Sequence, residues 1–496
     1  MGEMMPNWLK KRADLSPDRE ALIFEGHTYT FKEVFDKAEE VAGKLETVGL
    51  KEGSTAAVLL SNQAESVFIL YGLQMAGIKA VILNNRLTAE ELSWQLKDCG
   101  AQVLVYEARF TDKVGSIDSG CKIISTDEFG HLEGSVPVIL GEYDLDDVTT
   151  IMYTSGTTGN PKGVLQTYGN HWWSAAASAL NLGLHDKDKW LCTVPIFHIS
   201  GYSILMRSQI YGMPVVLHSG FDEKQVIEDI RNHQVTVMSV VSTMLRRIVS
   251  ELRDVKLPAS FRCMLLGGGP APLPLLEACL EKDIPVFQTY GMTETSSQFA
   301  TLSPEYSIER LGSAGKALFP NQIRIADADG MDVQPGGEGE ILVKGPNVTI
   351  GYLNRADETA GKIREGWLHT GDIGYLDQDG FLYVLDRRSD LIISGGENIY
   401  PAEIEGVLLS HPGVADAGVI GMSDEQWGQV PVAFIVKNDQ GVSEEQLLQL
   451  CEEKLAKYKL PKKIFFVESL PRNAAKKLLR RRLRERLEAE RNSNEH

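Results

Sequence analysis

The sequence predicts an α/β protein: a large N-terminal domain of parallel-type sheets flanked by helices, a small β-barrel-like subdomain closing it, and a smaller α+β domain at the C-terminal end. Three observations predict this. From Ala21 to about Gly312, short apolar runs such as TAAVLLSN, KAVILNN, PVVLH and RCMLLGGG alternate with amphipathic stretches, the pattern of strands linked by helices. Between about 313 and 386 the runs shorten and are cut by turn formers, as in DADG and QPGGEG, which reads as antiparallel β structure. After LDRRSD, helical patterns such as EEQLLQLCEEKLAKY mix again with apolar runs such as PVAFIVK and KIFFVESL. The boundaries that follow are 1–386 for the first domain, 387–389 for a hinge and 390–496 for the second.

A chain of 496 residues has ample apolar area for more than one core. Its formal charge of -18 argues against nucleic acid and against anionic membranes as partners, which leaves small molecules. The six cysteines, at 99, 121, 192, 263, 279 and 451, show no paired spacing and no metal-ligand pattern with histidine, as expected of thiols in a reducing cytoplasm. MGEMMPNWLKKRADLSPDRE lacks the apolar stretch of a signal peptide. The most apolar segment, VFILYGLQMAGIKAVIL at 67 to 83, is interrupted by Gln74 and Lys79, so a helix followed by a buried strand is expected there rather than a membrane span.

The first chemical signal in chain order is TSGTTGNPKG, residues 154 to 163. A Walker loop would carry Gly-Lys-Ser/Thr, whereas here Pro161 precedes Lys162 and Gly163 follows it. Even so, glycines let backbone N–H groups approach an anion, and Thr154, Ser155, Thr157 and Thr158 can all donate to phosphate oxygens. Next comes VPIFHISG, 194 to 201, where His198 lies in an apolar run. LLGGGPAPLP, 265 to 274, reads as a strand, a glycine turn and a proline-led helix start. In QTYGMTE, 288 to 294, Tyr290 offers an aromatic face for a purine, Thr293 a hydroxyl for phosphate and Glu294 a carboxylate for Mg²⁺. Asp372 in TGD could accept from ribose hydroxyls, and Arg387 could donate a fork to ribose or phosphate oxygens. Taken singly, each of these is a common turn, a core histidine or a solvated charge. The weight lies in the combination.

In that order the motifs resemble those of the adenylate-forming superfamily, which contains acyl- and aryl-CoA ligases, luciferases and peptide-synthetase adenylation domains. The resemblance covers essentially the full chain and implies ATP, Mg²⁺ and coenzyme A as ligands, with a small carboxylic acid as substrate. It implies that Thr154, Ser155, Gly156, Thr157, Thr158 and Lys162 hold the β and γ phosphates, and that Gly268, Gly269, Pro270, Tyr290, Gly291, Asp372 and Arg387 hold the nucleoside. Glu294 is then the metal ligand. Gly395 and Gly396, in SGGENIYP, would line the tunnel for CoA.

The catalytic set that the resemblance implies is Lys477, Thr293 and His198. Lys477 stands six residues after Pro471, where the family pattern has its lysine, although Lys476 replaces the usual glycine. The C-terminal domain would be mobile and would swing between two half-reactions about Ser389, where the family commonly has a charged residue. Full-length likeness points to the branch acting on 2-succinylbenzoate in menaquinone synthesis, with ligation of another aryl or fatty acid as the alternative. That substrate carries a second carboxylate, for which His198, Ser200, Ser297 and Gln298 are the candidates. No nucleic acid and no integral membrane association are expected, and homo-oligomerisation is left open.

Overall fold

The computed structural model describes residues 2–154, 160–268, 271, 273–327, 329–386, 391–399, 401–438, 441–471, 478 and 480–494. The apolar runs become strands of two sheets that share one core with the helices between them. The first sheet is seven-stranded and runs Gly351–Tyr352, Lys162–Thr167, Val148–Thr154, Lys79–Ile82, Thr55–Leu59, Val103–Tyr106, Lys122–Ser125. From Val148–Thr154 onward all neighbours are parallel. Strand Lys162–Thr167 instead returns antiparallel, with Lys162 opposite Thr154. The glycine-rich segment therefore links two strands of a hairpin, whereas a Walker loop leads into a helix.

In the second sheet the strands Glu20–Phe24, Val215–Leu217, Trp190–Cys192, Val237–Val240, Cys263–Leu266 and Val286–Met292 are parallel neighbours. A reversal into Ser297–Leu302 turns the sheet antiparallel, and it continues through Ser313–Ala317, Leu382–Asp386, Trp367–Leu376, Gly339–Lys344 and Gln322–Ala326. The β-rich stretch of 313–386 thus extends the same sheet.

Helix Ala64–Met75 is buried nearly all round, which explains why AESVFILYGLQM shows no polar stripe. Its core joins Ala56 and Val58 of the first sheet to Trp190, Cys192, Val215 and Leu217 of the second. Strand Lys79–Ile82 follows it, as expected from the interrupted apolar segment. No described helix is long and apolar enough to cross a membrane.

The last domain is built on strands Glu397–Ile399, Ile392–Ser394, Gly428–Lys437 and Val414–Asp424, with Lys463–Phe466 parallel to Gly428–Lys437. Helices Pro401–Leu409 and Glu444–Lys454 close a core that includes Ile392, Ile404, Leu408, Val419, Ile435 and Leu447. All six cysteines are free.

Candidate active site

Four parallel strands of the second sheet end at one cavity of about 190 Å³, as α/β sheets commonly place their ligands. Val194, Val241, Gly268 and Thr293 mark these strand ends on its wall. Thr154 reaches it from the first sheet, Asp372 from strand Trp367–Leu376, and Gly396 from the C-terminal domain. His198, Ser200, Gly291, Glu294, Ser297 and Gln298 complete the set of sequence-derived residues brought together here. Gly291 is required by close approach: a Cβ there would lie 2.0 Å from the Ser297 carbonyl oxygen.

On the nucleotide side, Asp372 is 1% exposed. Its Oδ2 accepts from the Tyr290 hydroxyl at 2.7 Å, while Oδ1 is buried without a hydrogen-bond partner among the described residues. An orphaned carboxylate oxygen facing a cavity fits a hydroxyl donor from a ligand. Tyr290 differs from the expectation of a ring offered to a purine. Its ring packs in a core with Phe299, Ile325 and Ile341, behind the cavity wall, and its hydroxyl reaches the lining residue Asp372, because strand alternation turns it inward. Glu294 is buried on the wall and accepts from the Tyr352 hydroxyl at 3.2 Å. Lys162 does not line the cavity: its ammonium pairs with Glu358 and lies 5.7 Å from the Tyr352 ring centroid.

Ser155, Gly156, Thr157, Thr158, Gly269, Pro270, Arg387, Ser389 and Lys477 lie outside the described residues.

On the acyl side the structure adds a residue that sequence reasoning missed. Arg207, on helix Ile199–Tyr211, lines the cavity at 1% exposure. Its Nη2 donates to Ser297 Oγ at 3.3 Å, its guanidinium lies 5.0 Å from the Trp190 ring centroid, and its Nε is buried without a partner. Burial disfavours its charge and lowers its pKa from the usual arginine value. No carboxylate among the described residues is ion-paired with it. Beside it, Gln298 is 2% exposed with both side-chain polar atoms unpartnered. Ser297 itself has a φ of 106°, in the positive-φ region that favours glycine, and follows another positive φ at Ser296. The signal in the sequence was a lone arginine in the otherwise uncharged ISGYSILMRSQIY.

A second cavity, of about 340 Å³, shares Val194, His198, Ser200, Val241 and Gly396 with the first. Phe197, Gly395 and Trp427 also line it, together with Arg86, Arg109 and Arg247. Gly395 is left-handed, with φ 56°, and a Cβ there would meet the Trp427 ring at 2.7 Å.

His198 stands at the junction. It occupies the N-cap position of helix Ile199–Tyr211 without capping it, which leaves Nε2 to meet Glu397 of the C-terminal domain at 3.1 Å. Arg86 Nη1 at 2.5 Å and Asn84 Nδ2 at 3.1 Å also bind this carboxylate. Burial pushes the Glu397 pKa up, but His198, Arg86 and Asn84 outweigh it and hold it at about 2. Since this value lies below the ordinary 4.5, the stabilisation is complete above about pH 4.5 and fades as pH falls toward 2. Denaturant unfolding from pH 7 to pH 3 should therefore lose about 2 kcal/mol through this group, most of it below pH 4.5, a slope that Glu397→Gln removes.

The sequence matches the AMP-binding enzyme family over residues 9–353 and the AMP-binding enzyme C-terminal domain over residues 403–477. It is 57% identical to the 2-succinylbenzoate--CoA ligase of Geobacillus kaustophilus, over 97% of each chain. Among solved structures, o-succinylbenzoate CoA synthetase from Bacillus subtilis, as a double mutant bound with its product analogue OSB-NCoA, matches with a TM-score of 0.92 at 51% identity, covering 97% of this chain and 98% of that one. The same B. subtilis protein in complex with the acyl-adenylate intermediate OSB-AMP gives a TM-score of 0.77 at 52% identity over the same shares. In complex with ATP and magnesium ion it gives 0.76 at 51% identity, over 97% and 100%. With family matches spanning both the sheets that carry the cavity and the domain that closes it, this chain belongs to the AMP-binding enzyme family.

Proposed function

We infer that this chain ligates 2-succinylbenzoate to coenzyme A through an acyl-adenylate, converting ATP to AMP and pyrophosphate, as a step of menaquinone synthesis. The observation that carries the substrate is the cradle of Arg207, Ser297 and Gln298. It offers a buried cation and an amide with unmet hydrogen-bonding capacity to a ligand that brings its own anion. A second carboxylate on the substrate supplies that anion. A fatty acid or a monocarboxylic aryl acid would leave the cradle unmet, at the cost of desolvated polar groups without partners.

In the first step the substrate carboxylate attacks the α-phosphorus of ATP in line and pyrophosphate leaves. The protein's part is to position the reactants and offset the repulsion between two anions. Lys477 bridges carboxylate and α-phosphate, Thr293 donates to a phosphate oxygen, and Thr154 with the Ser155–Thr158 loop holds the departing pyrophosphate. Asp372 takes a ribose hydroxyl on its unpartnered oxygen, and Arg387 adds a fork to ribose or phosphate. Gly268 and Gly291 keep the wall low where the base lies, with Tyr290 behind it orienting Asp372, and Gly269 and Pro270 are assigned to the same nucleoside side. Lys162 supports this side through Tyr352 and Glu294, and reaches phosphate only by leaving Glu358.

The Glu294 carboxylate, buried on the wall, fits Mg²⁺, which takes one or two carboxylates and otherwise phosphate oxygens and water. Bound there, the ion would neutralise phosphate charge.

In the second step the CoA thiol attacks the activated carbonyl and AMP leaves. The second cavity serves as the CoA channel, with Gly395 and Gly396 giving it a wall without side chains and His198 at the point where it meets the acyl site. The greater likeness to the product-analogue complex supports reading this domain arrangement as the one for thioester formation. Charged substrates of this kind support a cytoplasmic location for the protein.

The test is pyrophosphate release and thioester formation across 2-succinylbenzoate, coumarate, benzoate and medium-chain acids. The expected result is release dependent on ATP and strongly favouring 2-succinylbenzoate. Release of ADP and orthophosphate would overturn the chemistry, and equal rates for the other acids would overturn the substrate.

A further inference from the structure

We propose that Lys459 is a positioning residue for the thioester step, latching the C-terminal domain through Glu91 in the orientation that joins the CoA channel to the acyl site. This rests on the two-step ligation inferred above. Lys459 lies on the short helical turn Lys457–Lys459 and is 3% exposed. Its ammonium has two carboxylate partners of different origin. Glu403 Oε1, on helix Pro401–Leu409 of the same domain, lies at 2.7 Å. Glu91 Oε1, on helix Ala89–Cys99 of the N-terminal domain, lies at 2.5 Å.

The two partnerships behave differently when the domains move. The Lys459–Glu403 pair sits inside one domain and survives any rigid rotation of it. The Lys459–Glu91 pair exists only while the domains are docked as here, where Gly396 and Glu397 also reach the cavity and His198. Glu91 is held ready for this contact: its other oxygen, Oε2, accepts from Thr88 N at 2.8 Å and Thr88 Oγ1 at 2.9 Å, closing the capping box of its own helix. One carboxylate therefore fixes a helix end with one oxygen and the neighbouring domain with the other.

A buried ammonium between two desolvated carboxylates is an arrangement in which removing one member is costly. Undocking returns Glu91 to water while Glu403 keeps its lysine, so within this triad the penalty for leaving the orientation falls on the Lys459–Glu91 contact and adds to the loss of the His198, Arg86 and Asn84 contacts of Glu397. The contact is distinct from the His198–Glu397 junction, which touches the reacting region itself. Neither Glu91 nor Lys459 lines the acyl cavity, and both line a smaller cavity of about 70 Å³ that Thr154, His198, Thr293 and Glu397 also line.

Glu91→Gln tests the latch without disturbing the fold, because glutamine keeps an oxygen for the Thr88 cap while losing the charge. Lys459→Met is the second variant. Pyrophosphate release from ATP and 2-succinylbenzoate is measured in a single turnover, and CoA-dependent discharge of the isolated acyl-adenylate is measured separately. Both variants are expected to release pyrophosphate within about twofold of the unmodified protein and to discharge the acyl-adenylate at least about tenfold more slowly. The double variant should be no slower than the slower single one. Equal slowing of both half-reactions, or unaltered discharge in Glu91→Gln, would overturn the latch. If the unmodified protein forms no acyl-adenylate from 2-succinylbenzoate, the functional reading falls and the latch with it.

Discussion

Replacing Arg207 with methionine is expected to lower kcat/KM for 2-succinylbenzoate about a hundredfold, equivalent to roughly 3 kcal/mol of lost binding to a buried anion. The loss should appear in the acid's KM, with the KM for ATP little changed. Benzoate, which has no second carboxylate, should gain relative to 2-succinylbenzoate. The same change should leave the ligand-free protein as stable as before or more so. Arg207 is buried against Trp190 with an unpartnered Nε, and methionine fills similar volume without a charge to desolvate. A thermal melt of the unliganded variant at or above the parent temperature, combined with the kinetic loss, marks a residue retained for the ligand rather than for the fold. A variant that kept its preference for the dicarboxylic acid would remove the cradle as the basis of selection.

Lys477→Ala is expected to slow pyrophosphate release by about a hundredfold to a thousandfold, the usual effect of removing one preorganised charge donor from a developing transition state. CoA-dependent discharge of preformed acyl-adenylate should stay near the parent rate, since the lysine's task is to bring the carboxylate and α-phosphate together. Adenylation at the parent rate would move the role to Lys476, the neighbour that stands where the family pattern has glycine. Lys477→Ala and Glu91→Gln thus predict opposite patterns across the two half-reactions, which makes each a control for the other.

Much of the site was legible because its residues sit in short, consecutive motifs at strand ends. Thr154, Gly268, Gly291, Thr293, Glu294 and Asp372 come from four separate stretches and meet on one wall. What could not be read were relations between distant positions. Arg207 looked like a lone charge on an apolar helix, and only burial beside Ser297 and Gln298 reveals it as part of a pocket. Lys459 and Glu91 are 368 positions apart and belong to different domains, so no local pattern joins them. The stretch from 313 to 386 reads as a separate β unit because hydrophobic alternation reports which face of a strand is buried and is silent about which strand pairs next. Tyr290 illustrates the same limit: its position in the motif was visible, whereas the direction of its ring depended on the pleat.

The helix Ala64–Met75 carries one more consequence. Lying between both sheets with scarcely any surface, it has no face that can loosen by itself. Its amide protons should exchange with solvent only when the N-terminal domain unfolds as a whole, while those of the C-terminal helix Glu444–Lys454 should exchange through smaller openings. The strand ends that form the acyl and nucleotide walls are tied to that slowest-exchanging segment. A change of shape during turnover is thereby directed to the boundary between the domains, and the walls that recognise substrate keep one geometry through both half-reactions.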